Sequence, residues 1–588
     1  MKNPQVAQIF REISAFLEME GVPFKPRAYE KAAESIAALE DPIERVFACG
    51  GVKALEEIPG IGKSFAAKIA EFLATGKIVD HEKLRDATPV DLEHLLGIEG
   101  LGPKGIKSLY EHLGVRTLAD LEAAARAGKI REAPGFGEKS EQKILQGIGF
   151  LEARTGRLPI GAVLPLAREI EARLREIAGV EQVAIAGSLR RRKETIGDMD
   201  FLVVASEPAL VMKRFASMPE VAVVHGRGST KGSVRLSIGM DADLRLVPAD
   251  SFGAALQYFT GSKDHGVACR KIAIEKGLKL NEYGVFRGSR SVAGRSEEEV
   301  YAALGLPWIP PELREDRGEI AAALAGKLPH VLDYGSLRGD LQTQTSWTDG
   351  ADSIEAMARA AKKLGLEYIA ITDHTRSLAM TRGSDEEKLR RQMADIDAIN
   401  AKLRGFRILK GAEVNIQRDG TLDIDDATLA ALDVVGVAVH SHFHLPRKEM
   451  TERVCRAMRS PHADILFHPT GRVLGRREPY EIDFEEVVRV AVETGTALEI
   501  DAFPDRLDLN DDHARRAVEA GVKLTIDSDA HSATHFSFLD YGIAVARRAW
   551  VEAKNVLNTQ PVERLLASLK GGLGSRERRA SSGRRSRR

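Results

Sequence analysis

Residues 186–204 read AGSLRRRKETIGDMDFLVV, and this stretch restricts the fold and chemistry of the chain more than any other. Asp198 and Asp200 stand two apart at the mouth of an apolar run. On a strand that spacing puts both carboxylates on one face. Asp243 heads a second strand-like run, LRLV, and can stand beside them. Three carboxylates at one point repel each other unless cations lie between them. Hard oxygen ligands with few other donors suit Mg²⁺ or Mn²⁺. Gly187, Ser188, Arg190 and Arg191 supply close backbone, a hydroxyl and guanidinium groups suited to a polyphosphate. An Asp-x-Asp pair alone is an ordinary strand end. Joined to GS-x-RR and a later DLR, it is the parts list for two-metal nucleotidyl transfer.

The full set resembles the palm of family X DNA polymerases, the DNA polymerase beta group. The resemblance covers roughly residues 1–315 and implies that Asp198, Asp200 and Asp243 bind the two cations. It implies that Gly187, Ser188, Arg191, Gly197 and Arg157 (in GRLP) grip a nucleoside triphosphate. Asp241 ranks below Asp243, because the motif places its Asp directly before LR. YFTGSKDHGVACR matches the family's thumb segment. Tyr258, Phe259 and Gly261 are then expected against the nucleotide sugar, with Lys263 adding positive charge. Arg270, Glu282 and Tyr283 match residues around the templating base. Gly266 departs from the pattern, since many relatives carry an Asn there.

At 588 residues the chain exceeds one core, and roughly three to five domains are expected. Hydrophobic content of 43% and charged content of 29% describe an ordinary folded protein, and a net charge of −1 carries no global nucleic-acid signature. Any DNA binding must therefore use local basic surfaces. Cys49, Cys269 and Cys455 are too scattered for a disulfide framework or a CxxC site, which suits a reducing cytosol. No apolar run reaches the roughly 18 residues of a membrane span, and no signal peptide opens the chain. A cytoplasmic location follows as an expectation.

Helical periodicity fills the first 75 or so residues. A repeat then appears three times: IPGIGKSFAAKIAEFL, LLGIEGLGPKGIKSLY and REAPGFGEKSEQKIL. Each has apolar residues, a Gly-x-Gly turn and a Lys-containing helix, a helix-hairpin-helix pattern. Gly60 and Gly62, Gly100 and Gly102, and Gly135 and Gly137 let a hairpin offer backbone N–H groups to a phosphate, with Lys63, Lys104 and Lys139 beside them. Three such turns favour sequence-independent DNA-backbone binding over plain αα-hairpins. The first resembles the family's lyase domain, with Lys68 at its Schiff-base lysine and Tyr29 at a nearby tyrosine. A lysine with a depressed pKa can attack the aldehyde of an abasic sugar.

From residue 335 to 570, strands and helices alternate (YIAIT, ILKGAEVN, VVGVAVH, ILFH, ALEID, KLTIDSD), a βα barrel pattern with chemistry at the strand ends. Ten of the 15 histidines lie beyond residue 329. Their placement resembles a PHP (polymerase and histidinol phosphatase) domain, a distorted βα barrel with a trinuclear metal centre. Asp349, His374, Glu413, His440, His468, Asp529 and His531 match ligand positions, a set suited to Mn²⁺, Zn²⁺ or Fe. The usual D-L-H-x-H opening is here Asp340-Leu341-Gln342-Thr343-Gln344, so the subsite built by that histidine pair is expected to be weakened or empty. Asn415 stands where relatives often carry Asp, and Asp501 where they often carry Asn. His442, His444 and His535 lie close by.

The expected fold class is multidomain α+β. It comprises a lyase-like helical domain (1–80), fingers with helix-hairpin-helix repeats (81–150), a nucleotidyltransferase palm (151–250), a thumb (251–316), a linker (317–334), a PHP barrel (335–570) and a basic disordered tail (571–588). The expected function is DNA-directed filling of short gaps in repair by a monomer acting on gapped or nicked duplex DNA and dNTPs, together with 3′→5′ exonuclease activity in the barrel. Two other readings stay open: a metal-dependent DNA 3′-end phosphoesterase, which Gln342 and Gln344 argue against, and a DNA-binding scaffold with a silent barrel, which the intact carboxylate triad argues against.

Overall fold

A computed structural model describes residues 2–37, 39, 42–58, 60–96, 98, 101–152, 156–378 and 381–570. The expected tail and Gly100 of the second hairpin lie outside the described residues. Helices Asn3–Met19, Lys25–Ala37, Ile43–Glu56 and Lys63–Thr75 pack around Val6, Phe10, Tyr29, Ile36 and Phe72. Ala15, Phe16 and Met19 of the first helix join a second core with Leu95, Leu109, Leu121 and Ile144. One amphipathic helix thus serves both helical units, which fixes the second on the first. Thr117 opens the helix Leu118–Arg126 with a capping box through Asp120.

The palm is a five-stranded sheet. Its strands run in the order Val180–Ile185, Asp198–Ala205, Asp241–Leu246, Lys231–Leu236, Val221–Arg227. Only the pair Asp198–Ala205 and Asp241–Leu246 is parallel, and its register sets Asp198 beside Asp241 and Asp200 beside Asp243. Met199, Phe201, Leu202 and Val203 are fully buried, so the apolar run anchors the strand whose first residues carry the carboxylates.

The thumb contains the helices Phe252–Thr260 and Lys263–Glu275, a three-stranded sheet and the helix Glu297–Ala303. Residues 317–334, expected as a linker, carry the helix Glu319–Leu324, whose Glu319 and Ala323 are buried against the thumb core. Arg314 is fully buried and shares Glu297 with Arg190, which ties thumb to palm.

Seven parallel strands follow in chain order: Gly339–Thr343, Tyr368–Ile371, Arg407–Asn415, Val434–Ala438, Ile465–Leu466, Ala497–Asp501 and Leu524–Asp527. A parallel bridge between Thr343 and Ala530 joins the last strand to the first. The strands are almost wholly buried, as parallel strands flanked by helices must be. Palm and barrel share one contiguous apolar core, and Arg472 of the barrel meets Glu194 of the palm at 2.7 Å. Among the described residues no helix is long and apolar enough to cross a membrane.

Candidate active sites

At the palm, Asp198, Asp200 and Asp243 come together on adjacent parallel strands, where the sequence spacing placed them. Burial, and then the charges of Asp198 and Asp243, push the Asp200 carboxyl up to about 7. Asp243 accepts from Ser233 Oγ (2.6 Å) and meets Lys231 Nζ (2.7 Å). Asp241, on the same face, is bound by Arg235 and lies 3.3 Å from His225, so it is already neutralised. Gly187 has φ +63°, and a Cβ there would stand 2.5 Å from Asp200 Oδ2. Only glycine lets the chain turn this close to the carboxylate.

The next residue, Ser188, buries a hydroxyl that finds no partner among the described residues. An orphaned buried hydroxyl beside a carboxylate cluster calls for an external acceptor, such as a phosphate oxygen. Arg191 Nη1 donates to the Thr260 carbonyl (2.5 Å), and a Cβ on Gly261 would lie 3.1 Å from the same nitrogen. Arg157 wraps Thr195 and stands against Gly197. The Arg191 guanidinium thus bridges palm and thumb.

Tyr258 and Phe259 meet edge to face at 5.0 Å, with Arg270 over Tyr258 and Arg245 over Phe259. Lys263 begins a helix capped by Ser262, and Gly266 faces Arg270 Nη1 at 3.5 Å from its would-be Cβ. Glu282 and Tyr283 sit at the tip of a thumb hairpin between Lys279–Asn281 and Gly284–Arg287, with Tyr283 exposed.

In the helical units, Gly62 and Gly102 are the N-caps of helices Lys63–Thr75 and Pro103–Leu113, and Gly137 directly precedes Glu138–Glu152. Gly60 and Gly135 take positive φ. Lys63, Lys104 and Lys139 each stand in a first helical turn, where free N–H groups favour an anion. Lys68 is partly buried between Tyr29 and Asp80. Burial disfavours its charge, but the hydrogen bond from Lys68 to Asp80 and the Tyr29 contact win, and its pKa is raised. The free protein therefore holds Lys68 protonated. Asp80, not identified from sequence, lies twelve residues away in another helix.

In the barrel, Glu413 is the hub. His440 Nε2 and His468 Nε2 both lie 2.8 Å from its Oε1, and His374 Nδ1 lies 3.3 Å from its Oε2. Asp349 is 3.5 Å from His374 and 3.7 Å from His531. Two sets of donors thus face common points: Asp349, His374 and His531; and His374, Glu413 and His440. The His440 ring shows why they suit a cation. Asn415 spends its Nδ2 on Thr375 and Asp423, so its Oδ1 must accept from His440 Nδ1–H (2.6 Å). Burial pushes the His440 pKa down to about 4, leaving the ring neutral. Its Nε2 lone pair then faces a carboxylate oxygen, an arrangement that needs a positive centre between them.

The two glutamines of the D-L-Q-x-Q segment lie against the carboxylates of this region. Gln344 Nε2 donates to Glu413 Oε2 (2.8 Å), and the Gln342 amide, oriented to satisfy its neighbours, donates to both oxygens of buried Glu499 (2.6 and 3.2 Å). Both side chains present N–H where a ligand must present a lone pair. Asp529, the seventh expected ligand, lies 3.7 Å from Arg506 Nε, which also meets Asp501 at 3.4 Å. Two subsites fit a transition-metal ion, and the one opened by D-L-Q-x-Q does not. His535 is buried without becoming a ligand, its pKa pushed down to about 3. Among the described residues, His442 and His444 belong to neither donor set. The cleft over this centre, about 450 Å³, is lined by His531, Arg506 and Arg476 of the barrel and by Glu34 and Leu96 of the helical units.

Family models match along the chain: a helix-hairpin-helix domain over residues 1–78, a SAM-like helix-hairpin-helix tandem over 92–149, the DNA polymerase beta thumb over 255–315 and a PHP domain over 340–502. The chain is 40% identical to the DNA polymerase/3′-5′ exonuclease PolX of Bacillus subtilis over 97% of its own length and 100% of that protein. It is 27% identical to DNA polymerase lambda of Rattus norvegicus, over 53% of this chain and 56% of that protein. A Thermoanaerobacter protein named as a probable phosphatase matches at 30% identity over 40% of this chain and 98% of its own length. With palm, thumb, hairpins and barrel in one polypeptide and end-to-end similarity to such an enzyme, the chain belongs to the family X DNA polymerases that carry a PHP domain.

Proposed function

We propose that this protein fills short gaps in duplex DNA, adding templated deoxynucleotides to a primer 3′ end. The observation that carries this reading is the meeting of Asp198, Asp200 and Asp243 with the unpartnered Ser188 hydroxyl and Arg191. The three carboxylates suit Mg²⁺ or Mn²⁺, since Asp200 stays ionised at neutral pH only with positive charge nearby. Bound there, such ions supply Lewis acidity for in-line attack on the α-phosphate and neutralise the leaving pyrophosphate. Asp243, oriented by Ser233 and Lys231, aligns the 3′-OH and accepts its proton. Ser188, Arg191, Gly197 and Arg157 hold the triphosphate. Tyr258, Phe259 and Gly261 line the sugar side, while Lys263, Arg270, Glu282 and Tyr283 serve nucleotide and template.

Gly60, Gly62, Lys63, Gly100, Gly102, Lys104, Gly135, Gly137 and Lys139 hold the DNA backbone as a monomer tracks a gapped or nicked duplex. Domain limits follow the sequence reading, with 317–334 assigned to the thumb because of its buried helix. Lys68 serves as a lyase nucleophile once an abasic sugar displaces Asp80.

The second reading, 3′→5′ exonuclease cleavage in the barrel, rests on the His440–Glu413 arrangement. Asp349, His374, Glu413, His440, His468 and His531 hold Mn²⁺, Zn²⁺ or Fe there, and Asp529 orients His531 through its carbonyl (2.7 Å).

A 5′-labelled primer on a one-nucleotide gap tests both. With Mn²⁺ and dNTPs the primer lengthens by one templated nucleotide, and Asp200→Ala abolishes this. Without dNTPs the primer shortens, and Asp198→Ala/Asp200→Ala leaves the shortening intact. Extension that survives Asp200→Ala overturns the palm assignment.

A further inference from the structure

Arg548 closes the barrel helix Leu539–Arg548 and is buried, 5% exposed, although it belongs to a different unit from the polymerase. Its guanidinium does not serve the barrel alone. Nη1 donates to Glu315 Oε1 of the thumb segment (2.9 Å) and to the backbone carbonyl of Arg191 in the palm (3.0 Å). Nη2 donates to Asp511 Oδ2 (2.8 Å) within the barrel. Glu315 Oε1 in turn accepts from Arg191 Nε at 2.9 Å. One carboxylate oxygen therefore couples the guanidinium of Arg191 to that of Arg548.

Arg191 is held at three points. Nε is on Glu315, Nη1 is on the Thr260 carbonyl, and its backbone carbonyl is on Arg548. Gly261 packs against it so closely that a methyl group would stand 3.1 Å from Nη1. The remaining nitrogen, Nη2, makes no hydrogen bond among the described residues. Without Arg548, Glu315 would be freed from one of its two cations and could swing with Arg191. Asp511 has a second partner, Arg317 Nη1 at 3.0 Å, so the barrel side keeps its own compensation.

Resting on the palm reading above, we infer that Arg548 is a positioning residue for nucleotide addition: through Glu315 it fixes Arg191 so that Nη2 faces the incoming triphosphate. Arg548 touches neither nucleotide nor reacting atoms. It makes the nucleotide affinity of the palm depend on a docked barrel. A charge-assisted hydrogen bond is stronger and more directional than a neutral one, and Arg presents a fixed planar fork that Lys cannot reproduce.

The test uses the full-length chain with Arg548→Met and Arg548→Lys, in single-turnover gap filling across a range of dNTP concentrations. The expected result for Arg548→Met is an apparent dNTP Kd raised about tenfold or more, with the maximal rate changed less than about threefold. The thermal midpoint falls, because a buried cation between Glu315 and Asp511 is lost, while DNA affinity of the folded variant stays at the wild-type value and Arg548→Lys recovers part of the loss. Arg191→Ala/Arg548→Met should be no worse than Arg191→Ala, because both act on one contact. Should Arg548→Met fail to fold, Glu315→Gln probes the same link and is expected to raise the dNTP Kd likewise. An unchanged dNTP Kd in a folded variant overturns the proposal. So does a parallel loss of DNA affinity and maximal rate alongside the rise in dNTP Kd, which marks a merely structural contact. If wild-type protein adds no templated nucleotide at all, it is the palm reading that fails.

Discussion

His440 Nε2 lies 2.8 Å from Glu413 Oε1 while its other ring nitrogen is held by Asn415. Two acceptors face each other in a buried site, and a dication relieves the arrangement. Mn²⁺ is therefore expected to raise the thermal midpoint of the full chain and a chelator to lower it, with about 2–3 kcal/mol of linkage at a hundredfold excess of ion over Kd. His440→Ala should remove the barrel's share of this increment in differential scanning fluorimetry, leaving gap filling intact. An identical Mn²⁺ response in wild type and His440→Ala would contradict the assignment.

The glutamine pair bears on the number of ions. Gln342 and Gln344 donate to Glu499 and Glu413, so neither offers its lone pair in that orientation. Native mass spectrometry should find fewer than three ions in the wild-type barrel. Gln342→His/Gln344→His should gain one, since imidazole restores the missing donor type.

Asp200 titrates unusually high, at about 7, because burial and two neighbouring carboxylates disfavour its charge. An acid whose pKa rises on folding destabilises the folded state as pH climbs from its unfolded value, near 4, through the folded one. In chelator, wild-type stability should therefore decline between roughly pH 4 and 7 by on the order of a few kcal/mol. Asp200→Asn should flatten that decline and raise stability at pH 8 while abolishing extension. Urea midpoints across pH give the comparison, and a variant with the wild-type slope refutes the cause.

Glu297 behaves in the opposite sense. Burial opposes its ionisation, but hydrogen bonds from Arg190 and Arg314 hold it well below the usual carboxylate range. Its stabilisation is complete above the unfolded value near 4.5 and is lost as pH falls below it. Glu297→Gln leaves the buried Arg314 and the half-buried Arg190 undercompensated, at a cost of about 3–5 kcal/mol. Chemical denaturation at neutral pH should register this loss, and wild type should approach the variant as the medium becomes acidic.

Lys68 is held protonated by Asp80, so freeing it should ease imine formation. Asp80→Asn is expected to move the pH for half-maximal borohydride trapping on an abasic sugar downward, and Lys68→Ala to abolish trapping. Trapping that persists in Lys68→Ala would assign the nucleophile elsewhere.

The chain's local order already contained the palm carboxylates, the Gly-x-Gly hairpins and most of the side chains that converge in the barrel. The reason is that a strand alternates faces every residue, a glycine pair marks a turn, and barrel ligands follow apolar runs. Even the departure at Gln342 and Gln344 was legible, because an amide in place of an imidazole is a local chemical change. What local order could not contain is pairing across the fold. Asp80 reaches Lys68 from the next helix, Asn415 sets the tautomer of His440, and Arg548 meets Glu315 across 233 positions of sequence. Such contacts depend on which surfaces are buried together. Neither charge nor hydrogen-bond direction at a buried group is defined until packing removes water and leaves one partner within reach.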